Sequence, residues 1–264
     1  MNLGLQGKLA VVSGSTAGIG FAIAAALAAE GARVVVNGRT QARVDAALEK
    51  LRQQNRGAEF SGIAADLGAA AGVAVFLKEV PSADILVNNL GIFEVKSFLD
   101  IPDSDWQRFY DVNVLSGVRL SRHYLPSMLK KNWGRIIFIS SESAQQIPAE
   151  MVHYGMTKTA QVAIANGIAR SVAGTGVTAN SILVGPTASE GVGTFIQDAA
   201  RQQGISATEL EKQFFASVRP TSLLKRFETP DEVAAVVAFV ASTQAGVMNG
   251  AAVRAEGGVV QSIL

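Results

Sequence analysis

The sequence predicts one doubly wound α/β domain, a parallel sheet of about seven strands covered by helices on both faces. Three observations predict it. Short runs rich in Val, Ile and Leu alternate with longer amphipathic or alanine-rich segments along the whole chain, and that alternation is the pattern of a Rossmann-type sheet. A glycine-rich turn, SGSTAGIG, stands between the first such run and the first helical segment. The 264 residues are 48% hydrophobic and only 17% charged, with no linker and no internal repeat, so residues 1–264 read as a single well-buried domain.

The elements follow in order. KLAVVSG is the first buried strand, and the alanine-rich segment 18 to 29 is the helix behind it. ARVVVNG precedes an amphipathic helix over 41 to 54, and EFSGIAADL and ADILVNNLG are the third and fourth strands. A long helix is expected over 105 to 131, then GRIIFISS, a helix over 155 to 173, GVTANSILVG, a helix over 231 to 241, and GAAVRAEGG as the last strand. Residues 186–229 interrupt this rhythm, carrying Phe195, Ile196, Phe214 and Phe215 among polar residues. A simple sheet connection needs only a few residues, so this segment is expected to form a substrate lid, an ordinary helical excursion being the alternative.

Composition excludes several classes of function. Lys+Arg 23 against Asp+Glu 22 gives a net charge of +1, and the densest basic spot is the pair Lys130 and Lys131, so no nucleic-acid partner is indicated. There is no cysteine, hence no disulfide, thiolate metal site or cysteine nucleophile. With only His123 and His153 as histidines, no metal site is expected. No signal peptide or membrane span is read, and the expected location is the cytoplasm.

In SGSTAGIG, Gly14, Gly18 and Gly20 let the backbone turn sharply and approach a pyrophosphate, while the following helix N-terminus offers unpaired N–H groups. At the end of the second strand an acid would bind the ribose 2′-hydroxyl of NAD. Here VVVNGRT places Gly38 there, followed by Arg39, and a guanidinium suits a 2′-phosphate. NADP(H) is therefore favoured over NAD(H), with a solvated turn residue as the bland reading of Arg39.

The stretch HYGMTK puts Tyr154 and Lys158 four positions apart on one helix face. A nearby ammonium lowers a phenol from its usual value of about 10, which makes it a usable acid. Together with SGSTAGIG, the NNLG at 88 to 91, Asn113 and the second serine of FISSES, in this order and at these separations, YGMTK resembles the short-chain dehydrogenase/reductase family over essentially the whole chain. Among its members the layout is similar to 3-oxoacyl-[acyl-carrier-protein] reductases.

The resemblance implies an NAD(P)-dependent oxidoreductase with Tyr154 as general acid/base and Lys158 as its pKa-lowering partner. It implies that Ser141 positions the substrate carbonyl and that Asn113 holds a water in a relay reaching the lysine. It assigns the cofactor to Gly14, Ser15, Thr16, Gly18, Ile19 and Gly20 in the turn, to Gly38 and Arg39, to Asp66 and Leu67 near the adenine, to Asn88 and Gly91, to Tyr154 and Lys158, and to Gly185 and Thr187. Asp66 as a helix cap, Asn88 as a turn amide and Thr187 as a turn residue are the alternatives.

Neighbourhood in the sequence suggests that Phe93, Ser141, Gln145, Met151, Tyr154, Phe195 and Phe214 border a carbonyl or alcohol substrate with an apolar arm, with Glu142, Ile147 and His153 nearby. Glu142 either selects a hydrogen-bond donor or faces solvent, solvent being expected, and His153 is expected to pack or lie at the surface. Two positions depart from the family: Leu90 where alanine is usual, expected to crowd the cleft, and Val184 where proline is usual, expected to loosen the entry to the lid. Arg119, Arg122, Lys130 and Lys131 offer a basic face for a carrier protein or are simply solvated. The family resemblance implies a homotetramer. A non-catalytic NADP(H) sensor is the rival from another class, disfavoured because all four residues of the tetrad are present.

Overall fold

The structure is a computed structural model that describes residues 2–263, without the side chains of residues 190, 191, 194 and 195. The expectation for Phe195 therefore lies outside the described residues. Seven parallel strands form one sheet: β1 (Leu9–Val12), β2 (Arg33–Gly38), β3 (Phe60–Ala64), β4 (Ile85–Asn88), β5 (Gly134–Ser141), β6 (Val177–Val184) and β7 (Ala252–Ala255). Their order is β3-β2-β1-β4-β5-β6-β7, so the winding reverses between β1 and β4. That reversal opens a crevice at the carboxyl ends of the strands, where ligands bind in such sheets.

The helices that connect the strands are α1 (Gly18–Ala29), α2 (Gln41–Gln54), α3 (Ala70–Glu79), α4 (Asp103–Tyr110), α5 (Ser116–Lys131), α6 (Val152–Ser171), α7 (Glu190–Gln203), α8 (Ala207–Ser217) and α9 (Pro230–Ala241). Two cores flank the sheet. One joins Ile23 and Leu27 of α1, Val44 and Leu51 of α2 and Val233 and Val237 of α9 to Val12, Val36 and Ile139. The other joins Phe76 of α3, Leu120, Tyr124 and Met128 of α5 and Ala165 and Ala169 of α6 to Val11, Leu86 and Phe138. The continuous burial of β5 and β6 is what a strand covered on both faces requires.

The helix expected over 105 to 131 is two helices. A π-helical turn over Asp111–Leu115 separates α4 from α5. An extra residue in one turn displaces the backbone by a local bulge, and such bulges concentrate at functional sites. Asn113 sits in it. The segment 186–229 contains α7 and α8, and its two ends are tied together: Ala188 N donates to Glu228 O at 2.8 Å and Glu228 N to Pro186 O at 2.9 Å. Val184 does not loosen the chain there, because it is paired with Ala255 and Gly185 N donates to Ala255 O at 3.2 Å.

Candidate active site

The glycine-rich turn lies at the end of β1, against the end of β2. Gly14 and Gly18 have φ of +61° and +56°, conformations that glycine adopts without strain. A Cβ on Gly20 would lie 2.5 Å from Gly14 O and 2.4 Å from Asn89 Nδ2, and one on Gly38 would lie 2.5 Å from Thr16 Cγ2, so both positions require the bare backbone. Ser15 is committed to the fold: its Oγ donates to Val12 O at 2.6 Å and accepts Asn37 N at 3.0 Å. Ile19 is partly buried against the α1 core. Helix α1 opens with no side-chain cap and no acid in its first turn. Its leading N–H groups and the positive end of its dipole are thus left for an anion, which fits a pyrophosphate.

Around this turn the expected contacts sort by what they expose. Arg39 is exposed and makes no hydrogen bond or ion pair among the described residues, and no acid stands beside it at the end of β2. Asp66 is exposed, with Oδ1 accepting Gly68 N at 3.0 Å. Leu67 is 1% exposed in the second core, leaving only its backbone for an adenine. The side chain of Asn88 is turned away from the cleft, its Nδ2 donating to Ser121 Oγ at 3.2 Å, because Gly117 lets α5 pack closely upon it. The amide that supports the turn is that of Asn89, donating to Ser13 O and Gly14 O, both at 3.0 Å. Leu90 is partly buried against the second core and borders the glycine turn, its Cδ1 lying 3.4 Å from where a Cβ on Gly14 would stand.

The four candidate catalytic residues converge from three elements. Ser141 ends β5, Tyr154 and Lys158 lie on α6, and Asn113 comes from the π turn. Lys158 is buried, its Nζ donating to Ile139 O at 2.9 Å and Gln161 Oε1 at 3.3 Å, and lies 5.5 Å from the Tyr154 ring centroid. An ammonium has three N–H bonds, so one remains for a ribose hydroxyl or water. Burial pushes Lys158 down to about 8, against the pull of Glu142.

Asn113 spends its amide on Ile92 O at 2.9 Å, Thr157 Oγ1 at 3.0 Å and Ile92 N at 2.8 Å. Its backbone carbonyl accepts Gln161 Nε2 at 2.6 Å. The link from Asn113 to Lys158 therefore runs through Gln161, a residue that sequence reasoning missed although it lies one helical turn beyond the lysine. Gly91 is the exposed floor of this corner; a Cβ there would be 3.5 Å from Lys158 Nζ.

The surroundings of Tyr154 work against the depression of the phenol expected from Lys158. Burial, and then the Glu142 carboxylate, push Tyr154 well above its ordinary value, only partly offset by a hydrogen bond with Ser141 and by Arg219. The expectation that Glu142 faces solvent is also overturned. It is 4% exposed, with Oε1 accepting Arg219 Nε at 2.9 Å and Oε2 accepting Ser143 N at 2.8 Å, Ser143 Oγ at 3.1 Å and the hydroxyl of Ser141. Arg219 follows α8, inside the segment expected to be a lid. Sequence reasoning missed it because 77 residues separate it from Glu142.

The remaining expected residues lie as follows. Phe93 is exposed, Gln145 is exposed, and Met151 is half-buried just before α6. Phe214 is not brought to the tetrad; it stacks with Phe215 and Phe227 at centroid distances of 5.0 and 5.1 Å, as the small core of the α8 segment. Thr187 is buried, its Oγ1 donating to Gly185 O at 3.0 Å. His153 packs rather than reacts, 4.0 Å from the Phe109 ring and fully buried. Among the described residues no helix is long and apolar enough to cross a membrane, and no three His, Cys, Asp or Glu side chains cluster as metal ligands.

Comparison with known proteins agrees with this geometry. Residues 8–200 match the family described as short chain dehydrogenase. The chain is 45% identical over 263 residues to the uncharacterized oxidoreductase YvaG of Bacillus subtilis, covering 100% of both chains. It is 35% identical over 260 residues to a D-beta-hydroxybutyrate dehydrogenase of Cupriavidus necator, covering 97% of this chain and 99% of that one. The structure superposes on L-sorbose reductase from Gluconobacter frateurii, solved with NADPH and L-sorbose, with a TM-score of 0.94 at 28% identity over 100% of both chains. With its sheet order, its glycine turn and its serine, tyrosine and lysine in one crevice, the chain belongs to the short-chain dehydrogenase/reductase family and is an NAD(P)-dependent oxidoreductase.

Proposed function

We propose that the chain reduces a small carbonyl compound with NADPH, Tyr154 supplying the proton. The observation that carries the reading is the meeting of Ser141 at the end of β5 with Tyr154 and Lys158 of α6 and Asn113 of the π turn, the Lys158 Nζ lying 5.5 Å from the Tyr154 ring centroid. The Tyr154 phenol carries a proton it can donate and lies beside Ser141, the placement an acid in ketone reduction needs. The chemistry supplied by a bound reduced dinucleotide is hydride transfer to the carbonyl carbon. Tyr154 gives its O–H proton to the carbonyl oxygen as negative charge develops there, Lys158 holds a neighbouring positive charge, and Gln161 ties that lysine to Asn113. The same groups run in reverse oxidise an alcohol.

Arg39, unpaired and exposed at the end of β2, supports a preference for the 2′-phosphate of NADPH, with NADH as the weaker partner. The bound NADPH of L-sorbose reductase is in keeping with this. A carrier-protein substrate is disfavoured by the α5 face, where Arg119 is paired with Asp111 at 3.4 Å and Lys131 with Asp84 at 2.7 Å, leaving Arg122 and Lys130 as its basic residues. Residues 186–229 serve as the lid, a role supported by Arg219 reaching Glu142 beside the serine. We further assign a homotetramer in the cytoplasm, supported by exposed Tyr110 and Leu129 on α4 and α5 and by the lack of cysteine.

The test is oxidation of NADPH and NADH by the pure protein against a panel of ketones, ketoesters and diketones, with Tyr154→Phe as control. Loss of the acid is expected to lower kcat by roughly 10²-fold or more while the nucleotide still binds. Tight NADPH binding without turnover anywhere in the panel would support the sensor instead.

A further inference from the structure

Ser141 has one proton and two lone pairs to place. Its proton goes to Glu142 Oε2, and one lone pair accepts Ser143 N at 3.1 Å. What remains is one lone pair, which faces the Tyr154 hydroxyl in the free protein and is open to a substrate once Tyr154 donates to the carbonyl, so toward the crevice Ser141 accepts. Glu142 is not free to swing away and release that proton. Its Oε2 is held by the backbone N–H and hydroxyl of Ser143, and its Oε1 by Arg219, whose Nη1 also donates to Val218 O at 3.0 Å. A guanidinium only donates and a carboxylate only accepts, so the direction of the whole chain of hydrogen bonds is fixed. Ending on a carboxylate that is itself paired, the chain makes the Ser141 oxygen a strong acceptor.

A plain ketone oxygen is an acceptor and has no use for a second one. A hydroxyl on the neighbouring carbon is a donor and fits. We propose that this site selects ketones carrying a hydroxyl group on the carbon next to the carbonyl, Ser141 accepting that hydroxyl's hydrogen bond while Tyr154 donates to the carbonyl oxygen. The inference rests on the carbonyl-reductase reading. The step balances: a hydride from NAD(P)H adds to the carbonyl carbon, the Tyr154 proton adds to its oxygen, the cofactor is oxidised, and the product is a vicinal diol whose second hydroxyl is unchanged. Arg219 and Glu142 act through Ser141 and are positioning residues.

Hydroxyacetone and butanone form a matched pair, differing by a hydroxyl in place of a methyl group. The wild-type protein is expected to favour hydroxyacetone in kcat/KM by about ten-fold or more, since a polar site left unpaired rejects the analogue lacking the group. In Glu142→Gln the amide has one oxygen for two sides; given to the charged Arg219, with the Ser143 N–H keeping Ser141 Oγ as its acceptor, it leaves the NH2 to donate to Ser141, whose own proton is released toward the substrate. That variant should lose the preference or invert it, whereas Arg219→Lys, which keeps the cation, should retain it; thermal melts establish that both are folded. Equal kcat/KM for the two ketones in the wild type, or an unchanged preference in folded Glu142→Gln, overturns the inference and leaves the reductase reading standing. No turnover of either ketone with NADPH or NADH, nor of the matching alcohols with the oxidised cofactors, overturns both.

Discussion

Replacing Glu228 by glutamine should stabilise the protein above neutral pH and leave it nearly unchanged in mild acid. Glu228 stands where the 186–229 segment returns to α9, bridged to Thr187 on the other side of the segment. It is 6% exposed, its Oε2 accepts only a long bond from Gly185 N at 3.3 Å, and its Oε1 has no partner among the described residues. The carboxyl lies so close over Gly185 that a Cβ there would be 2.4 Å from Oε1. Burial, and the nearby carboxylates of Glu256, Glu142 and Glu232, raise Glu228 from 4.5 to about 7, with the Gly185 N–H pulling the other way.

The sign follows from linkage. The unfolded chain releases this proton near 4.5 and the folded protein near 7, so the contribution to stability is fully present below 4.5 and is lost as pH rises through 7. At about 1.4 kcal/mol per pH unit, the loss above pH 7 is on the order of 3 kcal/mol. Glutamine keeps the shape and never ionises, so Glu228→Gln should match the wild type near pH 5 and exceed it near pH 8 by roughly 5–10 °C in Tm, given about 2–4 °C per kcal/mol for a domain of this size. Thermal and urea unfolding from pH 5 to 8 read the effect directly. Parallel pH profiles for the two proteins, or a variant weaker at every pH, would show that the folded state accommodates the charged carboxylate and would refute the argument.

His153 gives the opposite slope. Both ring nitrogens are buried without a partner among the described residues, and burial lowers its pKa from 6.5, so stability present above 6.5 is lost as pH falls through the folded value. His153→Leu should flatten that acid limb of the melting curve and, by removing unpaired buried nitrogens, be neutral to stabilising by about 1 kcal/mol at pH 8; a limb as steep as the wild type's would contradict this. Gly20→Ala forces a methyl against Gly14 O and Ser15 Cα and should cost about 1–3 kcal/mol while raising the Kd for NADPH, read by melting and by fluorescence titration. Arg39→Ala should weaken NADPH about ten-fold or more with little effect on NADH, and an unchanged ratio of the two would remove the 2′-phosphate role.

The sequence was most legible where one residue type answers one local demand. The inner strands could be placed because buried parallel strands are largely apolar runs, the edge strands β3 (FSGIA) and β7 (AVRA), only partly buried, by their place in the alternation, and the glycine turn because its backbone conformations exclude side chains. The break between α4 and α5 was not legible. DVNVL carries no glycine or proline to mark it, and the π turn at Asn113 is set by tertiary partners, Ile92, Thr157 and Gln161. α3 escaped for a related reason, since AAGVAVFLKE is short and carries no side-chain cap.

The candidate site divides along the same line. Tyr154 and Lys158 announce themselves because four residues on a helix fix their neighbourhood. Glu142 does not, since a carboxylate beside a serine faces solvent or protein according to what the rest of the chain brings to it. Here the chain brings Arg219, and with it the polarity of Ser141 is reversed from donor to acceptor. A motif names the atoms of a reaction, but the direction of each hydrogen bond is decided by residues that are distant in sequence. In this crevice a guanidinium from the segment after α8 determines what the serine has to offer, so substrate choice is to be sought along the chain from Ser141 through Glu142 to Arg219, more than in the tetrad itself.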